Sequence, residues 1–241
     1  MRIIQISDSH ISHDHPQRTT DLGTCIEHIN NEQIQPDLVV HTGDISHNGL
    51  EEEYRTAREQ LDRLHTPYCV LAGNKDKRQV LSSVFSDNDY LELDNVFIQY
   101  TIEYSALRVI VLDTVCDSDN RGELCNTRLQ QIDNMLSLDQ SKPAVIFMHH
   151  SPFAVVEIPQ PEQFVQWKEV ERFESILSRY ENVDSIFCGH VHRNVEGTLG
   201  HLPVSVLSCL ATDLRKGKLS EYDKTRPMYK VLDLPLRQAG M

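Results

Sequence analysis

RIIQISDSH, residues 2–10, joins a short apolar run to an aspartate and a histidine two positions apart. The run is too short for a helix and rich in isoleucine, so RIIQI (2–6) reads as a buried strand. The same construction, an apolar strand running into polar residues, recurs in DLVVHTGD (37–44), PYCVLAGN (67–74), PAVIFMHH (143–150) and VDSIFCGHVH (183–192). Helical patterns lie between. TTDLGTCIEHINNEQ (19–33) places Leu22, Cys25, Ile26 and Ile29 at helical spacing. GLEEEYRTAREQLDRL (49–64) does the same with Leu50, Tyr54, Ala57, Leu61 and Leu64. DKRQVLSSVF (76–85), TRLQQIDNMLS (127–137) and QFVQWKEVERFESILSRY (163–180) add three more helices. NVFIQYTIEYSALRVIVLDT (95–114) reads as two strands joined by a turn near Tyr104 to Leu107, and the tail gives further short strands. The order βαβαβα, then ββαβαβ, then β-rich describes an α/β protein with two mixed sheets face to face and helices outside. No stretch rich in Pro, Gly or Ser divides the chain, so residues 1–241 are expected to form one domain. Residues 151–168 are the longest irregular insertion and are expected to overhang the site.

The polar residues at the strand ends are of one chemical kind. They are Asp8 and His10, Asp44, Asn74, His149 and His150, and His190 and His192, with Asp113 at the end of VLDT. Carboxyl ends of strands are where ligand sites gather in open α/β sheets. Residues two apart in extended chain point the same way, so Asp8 and His10 are expected to reach one metal. Mixed carboxylate, imidazole and amide donors suit Mn, Fe, Zn or Co. A lone aspartate after a glycine, Gly43-Asp44, is a natural bridge between two ions, and Gly43, Gly73 and Gly189 let the backbone approach closely. His13, His15, His28, His65 and His201 have no such placement, while His41 and His47 flank Asp44 as orienting or packing residues.

Composition narrows the function. A net charge of −13 over 241 residues argues against long nucleic acid as a partner, because phosphates are neutralised by Lys and Arg. Small anionic substrates stay admissible where bound metal inverts the local field. The apolar runs fall far below the roughly 18 residues of a membrane span. Six cysteines are scattered without a CxxC pair, as in a reducing compartment. With no signal-peptide pattern in MRIIQIS, a cytoplasmic enzyme is expected.

The ordered set ISDSHIS, VVHTGDISHNGLEEEY, PYCVLAGNKDKR, VIVLDT, GELCNTRLQQIDNML, FMHHSPF and CGHVHR, spanning about residues 3–193, resembles the calcineurin-like metallophosphoesterase superfamily. Its closer likeness is to the class III cyclic nucleotide phosphodiesterases and the related glycerophosphodiesterases. The resemblance implies a four-layer αββα sandwich with a dinuclear centre. It implies Asp8, His10, His192 and bridging Asp44 on one metal, and Asp44, Asn74, His149 and His190 on the other, the ions being divalent or trivalent (Mn, Fe or Zn). It further implies attack on a small phosphodiester or nucleotide by a metal-bridging hydroxide, with 3',5'-cyclic AMP the first candidate substrate. Asn74, Lys75 and His149 are the residues it places nearest the reaction. Family members often dimerise, and the sequence does not decide that point.

One position departs from the family. Lys75, in LAGNKDKR (71–78), stands where the family carries a histidine near the phosphate. Four readings follow. Lys75 replaces that histidine, neutralising a phosphoryl oxygen or serving the leaving group. Alternatively it redirects the enzyme to another ester, as a phosphomonoesterase, glycerophosphodiesterase or nucleotide-sugar pyrophosphatase; the superfamily's UDP-diacylglucosamine hydrolases carry arginine there. In the third reading the site binds metal but turns over slowly, and in the fourth the fold is an interaction scaffold. Substrate choice is expected to rest on residues 151–168 and on the loop near Arg121 to Asn126. Trp167 is read as helix packing with Phe164 and Val170, with base stacking the alternative.

Overall fold

The computed structural model describes residues 1–88, 90–91 and 96–234. Among these residues ten strands and six α-helices form two mixed sheets with helices outside, as expected for the αββα sandwich. The first sheet is built from β1 (Arg2–Ile6), β2 (Leu38–His41), β3 (Tyr68–Val70) and β10 (Lys230–Asp233) in the order β10-β1-β2-β3. Its first three strands run parallel, and β10 is antiparallel to β1. The second sheet has the order β4-β5-β6-β7-β9-β8. Here β4 (Tyr100–Glu103), β5 (Arg108–Leu112), β6 (Ala144–Met148), β7 (Val183–Cys188), β8 (Val195–Leu199) and β9 (Leu202–Val206) follow in chain order. Strands β5, β6, β7 and β9 are parallel, while β4 and β8 lie antiparallel at the edges.

Side chains alternate across the second sheet with the period of a strand. Val109, Val111, Val145, Phe147 and Phe187 face the first sheet and share a core with Ile3, Ile4, Val39 and Val40. Ile110, Leu112, Ile146, Met148 and Ile186 face the other way, into a second core with α4 (Asn126–Ser137) and α5 (Trp167–Leu177). Helices α1 (Gln17–Asn30), α2 (Glu51–Leu61) and α3 (Arg78–Val84) cover the first sheet with Leu22, Ile26, Tyr54, Ala57, Leu61 and Leu81. The short α6 (Glu221–Thr225) precedes β10. Trp167 packs on the second core, as the sequence favoured.

Two boundaries differ from expectation for reasons that concern the site. The strand expected over 67–74 stops at Val70, because Leu71 to Asn74 leave the sheet and bring Gly73 against Asp44. The helix expected from 163 starts at Trp167, because Gln163 to Val165 pair with the loop at Gly122. The strand expected from 95 begins at Tyr100, and Asn95 itself lies outside the described residues. Among the described residues no helix is long and apolar enough to cross a membrane.

Candidate active site

The loops leaving β1 and β2 run side by side. The N–H of Asp8 donates to the Gly43 carbonyl at 3.0 Å, that of His10 to Asp44 at 2.9 Å, and that of Ile11 to Ile45 at 2.8 Å. Among the described residues, the non-glycine residues in the left-handed region are Asp8 (φ 55°), His10 (45°), Asp44 (52°), His190 (76°) and His192 (56°). Such conformations cost about 1–3 kcal/mol each and persist where their surroundings over-determine them. All of them belong to the expected donor set. This corrects one expectation: Asp8 and His10 do not converge from an extended segment, since both adopt left-handed backbone. Glycine is required where these turns meet. Gly43 has φ 90°, and a Cβ there would lie 2.7 Å from His149 Nδ1. On Gly73 a Cβ would collide with the backbone nitrogen and Oδ1 of Asp44.

The side chains form two donor groups that share one carboxylate. In the first, His10 Nε2 lies 3.0 Å from His192 Nε2, 3.7 Å from Asp8 Oδ1 and 3.5 Å from Asp44 Oδ2. His192 Nε2 lies 3.3 Å from Asp8 Oδ1. In the second, Asn74 Oδ1 lies 2.8 Å from His190 Nδ1 and 3.2 Å from His149 Nε2, which is 3.5 Å from Asp44 Oδ1. Asp44 thus turns one oxygen to each group. The N–H of Lys75 donates to its Oδ1 at 2.8 Å.

Two carbonyls fix the imidazoles. A carbonyl only accepts, so His149 Nδ1 donates to Thr42 O at 2.7 Å and His192 Nδ1 donates to Leu214 O at 3.1 Å. Both Nε2 atoms are left facing the cluster, the arrangement by which an outer acceptor orients a metal-binding histidine. His10 Nδ1 faces His47 Nδ1 at 3.5 Å. Burial lowers the pKa of His149, of His190 to about 3 and of His10 to about 2, which disfavours positive charge on these rings. Burial also pushes the Asp8 carboxyl up, but His192 and then His149 and His10 more than offset it and hold it well below the carboxylate range. Asp44 is pushed up to about 8 by burial and by the charge of Asp8. Although burial lowers His192, Asp8 more than offsets it, so positive charge is favoured between them.

These residues fit a cation. Asp8 Oδ1 is buried and has no hydrogen-bond partner among the described residues, although His192 Nε2 is near enough to interact with it by charge. Two imidazole nitrogens point at each other beside it. Asp8, His10, Asp44 and His192 bring their donor atoms within 4.8 Å of one another, as do His149, His150 and His190. A buried carboxylate oxygen without a donor is costly unless an ion supplies the missing charge.

A profile of the family described as "Calcineurin-like phosphoesterase" matches residues 1–194. The chain belongs to this family. As a calcineurin-like phosphoesterase it is a hydrolase of phosphoric esters. An Arcobacter nitrofigilis protein named "Probable glycerophosphodiester phosphodiesterase GpdQ" is similar to it, 34% identical over 92% of this chain and 84% of its own length. A Mycobacterium tuberculosis protein named as a cAMP/cGMP dual specificity phosphodiesterase is 27% identical over 80% of this chain and 61% of its own. Among solved structures, a dimetal phosphatase from Danio rerio superposes with a TM-score of 0.70 at 16% identity, over 96% of this chain and 91% of that one. That likeness concerns the fold alone.

In this phosphoesterase the structure brings together Asp8, His10, Asp44, Asn74, His149, His190 and His192, and it sets Lys75 at their edge. It takes Asp113 elsewhere: Asp113 holds Arg78 with both oxygens and caps the N–H groups of Ile98 and Val115. His150 is committed as well. Its Nε2 donates to Asn120 O at 3.0 Å, and its Nδ1 meets Thr114 Oγ1 at 2.8 Å. His41 bonds Ser9 behind the first loop. His13, His15, His28, His65 and His201 are exposed. The insertion after β6 meets the 122 loop through Gln163 and Val165, so the two expected rim segments support each other.

The sequence reading gave no role to Asp76. It is buried, and it accepts the N–H groups of Gly73 at 2.8 Å, Ser46 at 3.1 Å and Ile45 at 3.2 Å. It therefore ties the turn carrying Asn74 to the turn carrying Asp44. Its signal was present as the last residue of GNKD. Asp76→Ala leaves those donors buried without a partner and is expected to cost at least about 3 kcal/mol. In a chain of this size that lowers the melting temperature by about 6–12 °C. A melting temperature within about 2 °C of the parent would show that the turns hold without it.

Proposed function

We propose that this phosphoesterase is a dinuclear-metal phosphodiesterase for small phosphodiesters, with 3',5'-cyclic AMP the first substrate to be tried. The observation that carries this reading is the shared carboxylate, with Asp44 Oδ2 facing His10 and Oδ1 facing His149. On this reading Asp8, His10, His192 and Asp44 hold one ion, and Asp44, Asn74, His149 and His190 hold the other. Two divalent or trivalent ions so held polarise a phosphoryl group and lower the pKa of water at neutral pH. The chain's own part is orientation. Thr42 and Leu214 lock two imidazoles, Asp76 locks two turns, and the left-handed backbone aims the donors inward. Lys75 supplies a cation at the edge. Its Nζ is 3.4 Å from Asn120 Oδ1, which also accepts from Asn74 Nδ2 at 3.3 Å. There it can neutralise charge that develops on a departing oxygen. The complete donor set speaks against a pure scaffold, since a scaffold has no use for buried left-handed ligands.

A second reading has its own support. The relative at 34% identity is named for glycerophosphodiesters, so these form the next substrate class. The test is a panel of cyclic AMP, glycerophosphocholine, bis-p-nitrophenyl phosphate and p-nitrophenyl phosphate, offered to protein loaded in turn with Mn2+, Fe2+ and Zn2+. The diesters are expected to turn over at least about tenfold faster than the monoester, a difference of about 1.4 kcal/mol in barrier. No hydrolysis of any diester with any of these ions would sink the proposal.

A further inference from the structure

The donors of the site sit just beyond the carboxyl ends of parallel strands, and two such strands supply none of them: β5, whose Asp113 is committed to Arg78, and β9. β9 runs parallel to β7 and ends at Val206. Three residues later stands Cys209. The segment that carries it folds back along the first loop: the N–H of Leu210 donates to Ser7 O at 2.9 Å, and Cys209 Sγ donates to Asp8 O at 3.0 Å. The thiol is wholly buried. Its sulfur and one nitrogen each of His10 and His192 lie within 4.8 Å of one another. It is not an isolated cysteine in a core. It adjoins His10 and His192, the same two imidazoles that group with the carboxylates of Asp8 and Asp44. The other cysteines belong to no such group among the described residues.

We propose that Cys209 is a further protein ligand of the ion held by Asp8, His10, Asp44 and His192. A thiol donor makes that position selective for thiophilic divalent ions such as Zn2+ and Co2+ over Mn2+, because thiolate favours softer ions while carboxylate suits Mn2+. Coordination replaces the S–H bond with a sulfur–metal bond. The proton passes to solvent, and nothing is oxidised or reduced. The hydrogen bond to Asp8 O is given up at the same time. Free of an ion, that bond keeps the sulfur parked beside the imidazoles. The second position, built on Asn74, His149 and His190, has no sulfur within reach among the described residues. The two positions of one centre are therefore chemically unequal. This inference rests on the metal-binding reading above and adds the softness of one position to it.

The test uses the full chain, stripped with a chelator and titrated with Co2+. Wild type is expected to develop an intense near-ultraviolet sulfur-to-cobalt absorption that saturates at one ion per chain. Cys209→Ser and Cys209→Ala are expected to lose it while still binding Co2+. Competition against a chromogenic chelator reads affinity in parallel. Zn2+ affinity is expected to fall about tenfold or more in both variants, and Mn2+ affinity to change less than about twofold, since manganese draws little from a thiol. Circular dichroism of the stripped variants controls for folding, and serine, close in size to cysteine, serves where alanine does not fold. Co2+ bound by wild type without the sulfur band would overturn the assignment of Cys209 and leave the metal site standing. A band that persists in Cys209→Ser would overturn it too, by placing the sulfur on another cysteine. Co2+ that does not bind at all would overturn the metal-site reading and this inference with it.

Discussion

Asp44→Asn is expected to empty both metal positions while leaving the fold intact. The two oxygens of Asp44 serve different groups, Oδ2 at 3.5 Å from His10 and Oδ1 at 3.5 Å from His149. Asparagine keeps one acceptor and turns an NH2 donor toward the other group, where a cation cannot sit beside it. The loss of a full negative charge from a buried cluster weakens both positions at once. Elemental analysis of protein passed through a desalting column is expected to fall from about two ions per chain toward none. Asp8→Asn serves as the comparison. Asp8 Oδ1 faces the rings of His10 and His192, and its Oδ2 meets the second group only through the backbone N–H of His190, beside the hydroxyl of Ser7, so that variant should keep more of the second group's ion than Asp44→Asn does. Hydrolysis by Asp44→Asn should drop by about a thousandfold or more, since the ions supply several kcal/mol of transition-state stabilisation and each 1.36 kcal/mol is tenfold.

The stability of the same variant separates a lost ligand from a damaged fold. Metal that binds only the native state raises the melting temperature, so loaded wild type should melt well above Asp44→Asn. In the stripped protein the gap should close. Burial together with the charge of Asp8 pushes the Asp44 carboxyl up to about 8, so without metal it is mostly protonated at neutral pH. Asparagine then replaces one neutral group with another of the same shape. A variant that melts lower than wild type in both states would mean that Asp44 holds the loop rather than an ion.

How far the site could be seen in the sequence follows from the kind of interaction involved. The row of strand-end donors was legible because parallel strands in layered sheets point their carboxyl ends one way, and an apolar run marks each strand. Asp8, Asp44, Asn74 and His190 could be marked as candidates on that ground, and the pair His149–His150 with them, while the choice of His149 came from the family resemblance. The left-handed turns were not legible, since Asp and His are only modestly enriched in that conformation and most of them do not adopt it. It is imposed by pairing between loops distant in the chain, such as His10 with Asp44. The carbonyls of Thr42 and Leu214 had no signature either, because any residue offers the same acceptor. Asn120 lies in a loop held by His150 and arrives beside Lys75 only when the second sheet is folded. Cys209 looked like another buried thiol in an apolar run, and only the return of its segment along Ser7 and Asp8 sets it against the imidazoles. Asp113 shows the converse. It has the right residue type at a strand end, but Arg78 and two N–H groups consume its oxygens.

Lys75→Ala is expected to slow esters with poor leaving groups by about a hundredfold to a thousandfold, the range of a lost charge-stabilising or proton-donating group. Its effect on nitrophenyl esters should stay below about tenfold, because nitrophenolate departs without help. The argument is positional. The N–H of Lys75 is pinned to Asp44 Oδ1 at 2.8 Å, so its Cα cannot drift from the centre, while its side chain reaches only the amide oxygen of Asn120 at 3.4 Å. A cation held at the edge by a neutral, exposed partner is free to follow a developing oxyanion. Metal content should not change, because the backbone bond to Asp44 survives the substitution. Lys75→Arg then divides the two ways a lysine can act. Arginine keeps the charge but does not give up a proton. Recovery of most of the rate on cyclic AMP would assign Lys75 to charge stabilisation, whereas no recovery, with the nitrophenyl rate intact, would assign it to protonation of the leaving group. Equal losses on good and poor leaving groups in Lys75→Ala would remove Lys75 from the leaving-group side altogether and place it with substrate binding. Asn120→Ala tests the same geometry from the other side. If Asn120 holds the ammonium ready, its loss should give a weaker copy of the Lys75→Ala pattern, graded by leaving group and with KM little altered.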